Sequence, residues 1–305
     1  MKVKDSIRRA FVTPIGYIWG SFDYSGQEMC IAAALSQDPV LINTFIQKRD
    51  KPYLIKESTK EKYKNPNGDP HLQAAISLKS ELNNYPLWEL KRLAEGGLDG
   101  TNYRKKGKII NFSTLYGKAA IGFAEDFGVS VEEAEEILRK YFVKFNVLKD
   151  WLDTTSEFAK YRKAVKTALG RWVYIAESNA KGQQDSGSIK RKGPNSVIQG
   201  TGSDMMKIAI RYIRKDKDLS KCIPICVVHD EVNILIPCDY KDIHMHVSED
   251  KGIYYTDFEF SPDIYSIAER ISGHMKKAEE DLLSPYIEGT FPAAVEFNLS
   301  PWWVH

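Results

Sequence analysis

Apolar residues along this chain recur with two periods. Tyr17 to Phe22 reads as a short strand. IAAALSQDP, residues 31–39, reads as a helix that stops at Asp38-Pro39, because the residue before a proline is driven out of the helical region. Asp23 therefore falls at a strand-to-helix turn. Residues 47–71 are charged and interrupted by Pro52, Pro66, Gly68 and Pro70, the pattern of a surface excursion. Ser130 with Glu133 forms a capping-box signature. Beyond it Ala134, Ile137, Leu138, Tyr141, Phe142, Phe145, Leu148, Trp151 and Leu152 keep helical spacing, which predicts one long amphipathic helix. Residues 40–165 thus read as mainly helical. Strand character returns at Arg171–Ile175, followed by a Gly-, Ser- and Lys-rich loop over 176–193. Ile223–Val228 and Val232–Ile236 flank His229-Asp230-Glu231, a hairpin with three polar groups at its tip. Ser261 with Pro262 at the first helical position opens a helix ending near Leu283, and Ala294–Leu299 closes as a strand before Trp302-Trp303. Strand-rich ends around a helical middle predict an α+β chain, a sheet domain with a helical insertion.

The strictest pattern lies in TNYRKKGKIINFSTLYG, residues 101–117, where Arg104, Lys108, Phe112 and Tyr116 are separated by four. On a helix they form one stripe, about 18 Å long, with two cations leading two aromatics. A ligand matching it is anionic at one end and flat at the other, as a nucleoside triphosphate is. A solvated basic face running into core aromatics fits the same spacing. Gly107 inside this helix costs about 1 kcal/mol relative to alanine and predicts that the helix bends readily. Arg191, Asn195 and Gln199 form a second four-spaced series. Their fork-shaped and amide donors suit minor-groove acceptors, which every base pair presents. Pro194 predicts that the helix begins there and leaves Arg191 off its axis.

Composition alters this picture little. The 305 residues suffice for two domains, and 43% hydrophobic with 28% charged residues is ordinary for a soluble protein. The net charge of +2 is too small for a basic nucleic-acid binder, so any electrostatic footprint is local. Residues 104–118 carry Arg104, Lys105, Lys106, Lys108 and Lys118 without an acid; Lys190-Arg191-Lys192 form a second knot, and Glu132, Glu133, Glu135 and Glu136 lie elsewhere. Cys30, Cys222, Cys226 and Cys238 make no CxxC pair and no zinc spacing, which predicts reduced thiols in a cytosolic setting and no structural metal. No signal core and no membrane-length apolar run is present in the sequence.

Asp23 and Asp230 lie where a sheet can present them side by side. Two adjacent carboxylates repel unless a cation bridges them, and Mg²⁺ takes one or two carboxylates together with substrate phosphates, the basis of a two-metal site for in-line phosphoryl transfer. Taken singly, each is equally a helix or turn cap.

The neighbouring residues resemble a known family. Arg104, Lys108, Asn111, Phe112, Tyr116 and Gly117 stand in the order of the nucleotide-binding helix of family A DNA polymerases. Asp23-Tyr24-Ser25-Gly26-Gln27-Glu28 resembles that family's first catalytic motif, and Val228-His229-Asp230-Glu231 its third. Ile7-Arg8-Arg9-Ala10-Phe11, Gln199-Gly200-Thr201 and the terminal PAAVEFNLSPWWVH are similar to further family strings. Departures are Ser113 for a glycine, Gly26 for a glutamine, Cys30 for an arginine, and the early Pro194.

The resemblance implies a right-hand polymerase: a palm of mainly antiparallel sheet at 1–40 and 167–305, helical fingers at 41–166, and no thumb or exonuclease. It implies joining of dNTPs to a primer 3′-hydroxyl with two Mg²⁺ held by Asp23, Asp230 and the Tyr24 carbonyl. Arg104 and Lys108 then bind the triphosphate, with Lys108 also protonating the departing pyrophosphate. Phe112 packs on the nucleotide, Tyr116 lies near the templating position, and Glu28 excludes a 2′-hydroxyl. Arg191, Asn195, Gln199, His229 and Glu231 contact primer-template DNA. A Met1 so close to the first matched position suggests a split enzyme whose partner polypeptide carries thumb and exonuclease, in the cytoplasm of a bacterial or phage-infected cell. Two alternatives are a catalytically weak DNA-binding subunit or fragment, and a single-subunit RNA polymerase, against which Glu28 argues.

Overall fold

The structure, a computed structural model, describes residues 8, 10–175, 186–250, 253–287 and 294–303. Ile7 and Arg9 of the lead-in string, residues 176–185 of the expected loop, and Pro292, Ala293, Val304 and His305 of the terminal string lie outside the described residues. The chain begins with β1 (Tyr17–Tyr24), α1 (Gln27–Ser36), α2 (Pro39–Asp50) and the short pair β2 (Tyr53–Ile55) and β3 (Lys62–Lys64). Helices α3 (Pro70–Leu78), α4 (Leu87–Ala94), α5 (Tyr103–Leu115), α6 (Ala120–Phe127), α7 (Val131–Lys144) and α8 (Asn146–Arg162) follow. Then come β4 (Ala164–Lys166), β5 (Trp172–Tyr174), α9 (Ser186–Lys215), β6 (Ile223–Val228), β7 (Glu231–Pro237), β8 (Ile243–Asp250), β9 (Ile253–Phe260), α10 (Pro262–Leu283) and β10 (Val295–Ser300). Every pairing between these strands is antiparallel, so the chain is α+β as predicted.

The elements gather into two compact units, Met1–Ser25 with Ser203–Asp281 and Ala293–His305, and Gly26–Gly202 with Leu282–Pro292. These divisions differ from the sequence-derived ones at 40 and 166. α1 packs on α8 and α2 and so belongs with the helices, and the β4–β5 hairpin packs on α8.

The first unit is built on a sheet of order β10-β1-β7-β6. Ile18, Phe22, Tyr24, Val232, Ile234 and Ile236, alternating along β1 and β7, are all buried. Tyr24 Oη donates to the Met275 carbonyl at 2.6 Å, tying β1 to α10, whose buried Ile264, Ala268, Ile271, Met275 and Ala278 recur at helical spacing. The strand read at 171–175 does not join this sheet: β5 pairs with β4 in a separate hairpin in the second unit.

The second unit is helical. Asp38 caps α2 through Oδ1, which accepts from Val40 N at 3.0 Å and Leu41 N at 3.1 Å, and its Oδ2 accepts from Leu148 N of α8 at 3.0 Å. The expected long helix is therefore two. The capping box at Ser130 and Glu133 opens α7, but Phe145 leaves the helical region at φ −109°, ψ 54°, and one first-turn amide of the new helix, that of Leu148, is taken up by Asp38. The apolar period survives the break because Tyr141, Phe145, Leu148 and Leu152 all stay buried. The excursion at 47–71 is exposed over β2 and β3, yet its end is structural: Asp69 caps α3 and Pro70 occupies the first helical position. Residues 186–193 are helical and not loop. α9 runs through Pro194, and Ile189 and Val197 on either side are buried in a cluster with Ala159, Val165 and Ile175. That packing outweighs the hydrogen bond the proline removes and places Arg191 on the helix.

Candidate active site

In the sheet-bearing unit, Asp23 lies opposite Glu231 across β1 and β7. β6 and β7 are joined by His229 and Asp230 alone, and Tyr24 N donates to the Asp230 carbonyl at 3.2 Å. Asp23 and Asp230 are thereby set at the same end of the sheet, both half-buried. His229 sits at φ 57°, a left-handed conformation that costs a non-glycine residue about 1 kcal/mol and is held by the pairing of Val228 with Glu231.

The tip holds two polar residues, not three. Glu231 is the first residue of β7, 2% exposed, and its Oε1 accepts from Asn233 Nδ2 at 2.6 Å and Trp303 Nε1 at 3.0 Å. Asn233 Oδ1 accepts in turn from Trp19 Nε1 at 2.6 Å and Ser21 Oγ at 2.9 Å. Trp19, Ser21 and Asp23 alternate onto one face of β1, so this buried polar network runs along the face that carries Asp23. Trp303 stacks on Trp19 at 5.7 Å and closes the network. Among the described residues no group of three or more His, Cys, Asp or Glu is arranged for a metal. Two carboxylates with a neighbouring backbone carbonyl suit Mg²⁺, which keeps waters and substrate phosphates in its other positions, and do not suit zinc.

In the helical unit the four-residue stripe is real: Arg104, Lys108 and Phe112 lie on α5 and Tyr116 caps its end. Arg104 Nε is 2.7 Å from Asp69 Oδ2, so the residue that caps α3 also fixes the guanidinium. Gly107 sits at a helix contact. A Cβ there would come within 2.1 Å of the His71 carbonyl oxygen, so the glycine lets α5 and α3 touch backbone to backbone. That approach brings in His71, which the sequence reading passed over. Tyr141 Oη donates to Asn111 Oδ1 at 2.8 Å; Asn111 Nδ2 donates to the Pro70 carbonyl at 3.1 Å and faces His71 Nδ1 at 3.0 Å. With the amide's oxygen committed to the tyrosine, His71 Nδ1 is an acceptor and Nε2 carries the proton. Burial pushes the imidazole down to about 4, helped by the Arg104, Lys108 and Lys48 cations and opposed by Asp69. The His71 and Phe112 rings lie 5.6 Å apart, and Lys108 Nζ is 5.8 Å from the Phe112 ring centre. The Asp-Pro-His string at 69–71 is the available signal, an N-cap followed by a first-turn proline.

Tyr116 Oη donates to Glu28 Oε1 at 2.7 Å, and Gln199 Nε2 donates to the same oxygen at 2.8 Å. Gly117 makes this meeting possible: its φ is 69°, and a Cβ would lie 2.4 Å from the Arg191 carbonyl oxygen, so the end of α5 rests on α9. Arg191 and Gln199 are exposed and Asn195 is half-buried, four residues apart on α9. The structure thus joins Glu28, Tyr116 and Gln199 in one hydrogen-bonded set, groups Arg104, Lys108 and Phe112 with His71, and in the other unit pairs the Asp23 strand end with the Asp230 turn.

The fold is that of a polymerase domain. It is similar to the POL domain of Pol1 from M. smegmatis, solved in complex with DNA primer-template and dNTP, with a TM-score of 0.65 and 23% identity over 99% of this chain and 43% of that one. Residues 1–251 match the model of DNA polymerase family A, and the chain belongs to that family. It is 32% identical over 239 residues to DNA polymerase I of Caldicellulosiruptor bescii, covering 78% of this chain and 24% of the relative. It is also 29% identical over 234 residues to the thermostable DNA polymerase I of Thermus thermophilus, covering 76% and 24%. The chain therefore spans about a quarter of the length of these relatives. No helix among the described residues is long and apolar enough to cross a membrane.

Proposed function

We propose that this chain carries out template-directed DNA synthesis, transferring the nucleotidyl group of a dNTP to a primer 3′-hydroxyl with release of pyrophosphate. The observation that carries this reading is the placement of Asp23 beside the Asp230 turn in a chain of family A. In it the sheet-bearing unit serves as palm and the helical unit as fingers. Asp23, Asp230 and the Tyr24 carbonyl would hold two Mg²⁺, which when bound stabilise charge on the attacking and leaving oxygens.

Arg104, oriented by Asp69, and Lys108 bind the triphosphate, and the Lys108 ammonium gives a proton to the departing pyrophosphate. Phe112 offers a flat apolar face to the nucleotide. The Glu28 carboxylate, fixed by Tyr116 and Gln199, occupies the space a 2′-hydroxyl would need. Arg191, Asn195 and Gln199 present donors to the minor groove of the primer-template and His229 supports the primer terminus, while Glu231, buried and bonded to Asn233 and Trp303, acts from beneath by holding the sheet end and does not touch DNA. The structural neighbour was solved in complex with DNA primer-template and dNTP, the two ligands this reading requires.

Primer extension with Mg²⁺, comparing dNTPs with rNTPs, tests the reading. Asp23→Ala or Asp230→Ala should lower extension roughly a thousandfold, corresponding to about 4 kcal/mol of transition-state stabilisation, and leave primer-template affinity nearly unchanged. Near-normal extension by either variant would overturn the metal assignment, and a preference of the unaltered chain for rNTPs would make it an RNA polymerase.

A further inference from the structure

Residues 158–175 contain five cations, Lys160, Arg162, Lys163, Lys166 and Arg171, and no acid. They cover the end of α8 and the β4–β5 hairpin, and four rings stand out there: Phe158 is 42% exposed, Tyr161 82%, Trp172 42% and Tyr174 79%. Exposed rings are normally scattered singly, so four in one short stretch form a patch.

Backbone geometry explains the shared face. Val165 and Val173 are cross-strand partners turned into the cluster of Ala159, Ile175, Ile189 and Val197, so alternation turns Lys166, Trp172 and Tyr174 outward. On α8, Phe158, Tyr161 and Arg162 share a face at i, i+3 and i+4. The two elements meet where Phe158 stacks on Trp172, 6.5 Å between centroids and 12° between planes. Lys166 Nζ lies 4.6 Å from the Trp172 ring centre and the Arg162 guanidinium 5.7 Å from that of Tyr161. No carboxylate pairs with Arg162, Lys163 or Lys166 among the described residues.

We propose that this surface binds single-stranded DNA without regard to base sequence. Rings in water accept stacked bases, and cations beside them, of which Arg162, Lys163 and Lys166 pair with no carboxylate among the described residues, accept the phosphates between those bases. A duplex keeps its base faces stacked internally and cannot use the rings. A protein partner would have to neutralise Arg162, Lys163 and Lys166 while covering the aromatics, whereas a single strand alternates anion and flat apolar face along its own length. Family A membership sets the sugar as deoxyribose. None of these residues belongs to the set assigned to polymerisation, and only the choice of sugar rests on the family.

The test is fluorescence anisotropy of the full chain with labelled dT20, without Mg²⁺ or dNTP, alongside rU20 and a blunt duplex of equal length. Combined Tyr161→Ala, Trp172→Ala and Tyr174→Ala should weaken dT20 binding about tenfold or more and leave duplex binding and the circular dichroism spectrum unchanged. Arg162→Glu with Lys166→Glu, which leaves the rings in place, should weaken dT20 binding and flatten its salt dependence. Unchanged dT20 affinity in both variants, an equal loss for duplex, or tighter binding of rU20 than of dT20 would overturn the proposal. Primer extension by the unaltered chain is scored separately: its absence would end the polymerase reading and leave the dT20 result standing.

Discussion

Glu28 holds two hydrogen-bond donors on one oxygen, from Tyr116 and Gln199, and in the proposed reaction a carboxylate restrained in this way would not swing aside for a bulkier sugar. Glu28→Ala should raise rNTP use relative to dNTP use by roughly tenfold or more, and Tyr116→Phe, which removes one donor, by less. Competitive incorporation measures both, and an unmoved ratio in Glu28→Ala would remove this residue from the sugar pocket. His71 gives a second residue-scale prediction. Its folded value of about 4 lies below the ordinary histidine value of 6.5, so between these pH values the unfolded chain takes up a proton that the folded chain refuses. The stability tied to the neutral ring is complete above pH 6.5 and falls as pH drops toward 4, by about 3 kcal/mol. His71→Gln keeps an acceptor for Asn111 and cannot titrate, so its urea midpoint should fall less across that window; parallel curves would refute the assignment. The Arg104 stripe was legible in the sequence because one helix carries all of it. His71, Asp69 and the Glu28 contact were not, because each depends on a partner more than 30 residues distant.

At the scale of elements, most helix and strand positions could be read from period and capping, and the misreadings share one cause. In sequence Pro66, Gly68 and Pro70 read as breaks, yet Asp69-Pro70 is a start, as Asp38-Pro39 is. Whether such a pair ends one helix or opens the next depends on which amides its carboxylate reaches. Gly107, which in sequence marks only a weak helix former, is a packing contact, a role that only the neighbouring helix decides. Alanine scanning separates the two roles. Gly107→Ala should cost about 1–3 kcal/mol, because its Cβ meets a backbone oxygen that cannot move alone. Gly273→Ala, in α10 with nothing within 4 Å of its Cβ position, should gain about 0.5–1 kcal/mol from helix propensity. Thermal unfolding measures both, and a neutral Gly107→Ala would mean that α3 and α5 pack less closely than described.

For the whole molecule, a net charge of +2 hides a segregated distribution: residues 104–118 and 158–175 each carry five cations and no acid. DNA affinity should therefore drop steeply with salt, with a log–log slope of about −4 to −5 if some five phosphates are contacted. A flat dependence would show that binding does not run through these cations. Composition alone could not reveal this, because the acids that balance the sum sit elsewhere in the chain. Asp38 acts on the second unit in another way. Its carboxylate, buried at 0% exposure, terminates two helices whose first residues are more than 100 positions apart, so neither oxygen can be satisfied alone without stranding the other. The local cap on α2 can form as soon as that segment coils, whereas the bond to Leu148 must wait for a long loop to close. That late bond acts as a latch. Asp38→Asn, which retains one accepting oxygen and turns the other position into a donor, should leave the refolding rate nearly unchanged and speed unfolding severalfold in stopped-flow measurements. A variant that instead refolds slowly would show that the two helices are already joined at the rate-limiting step.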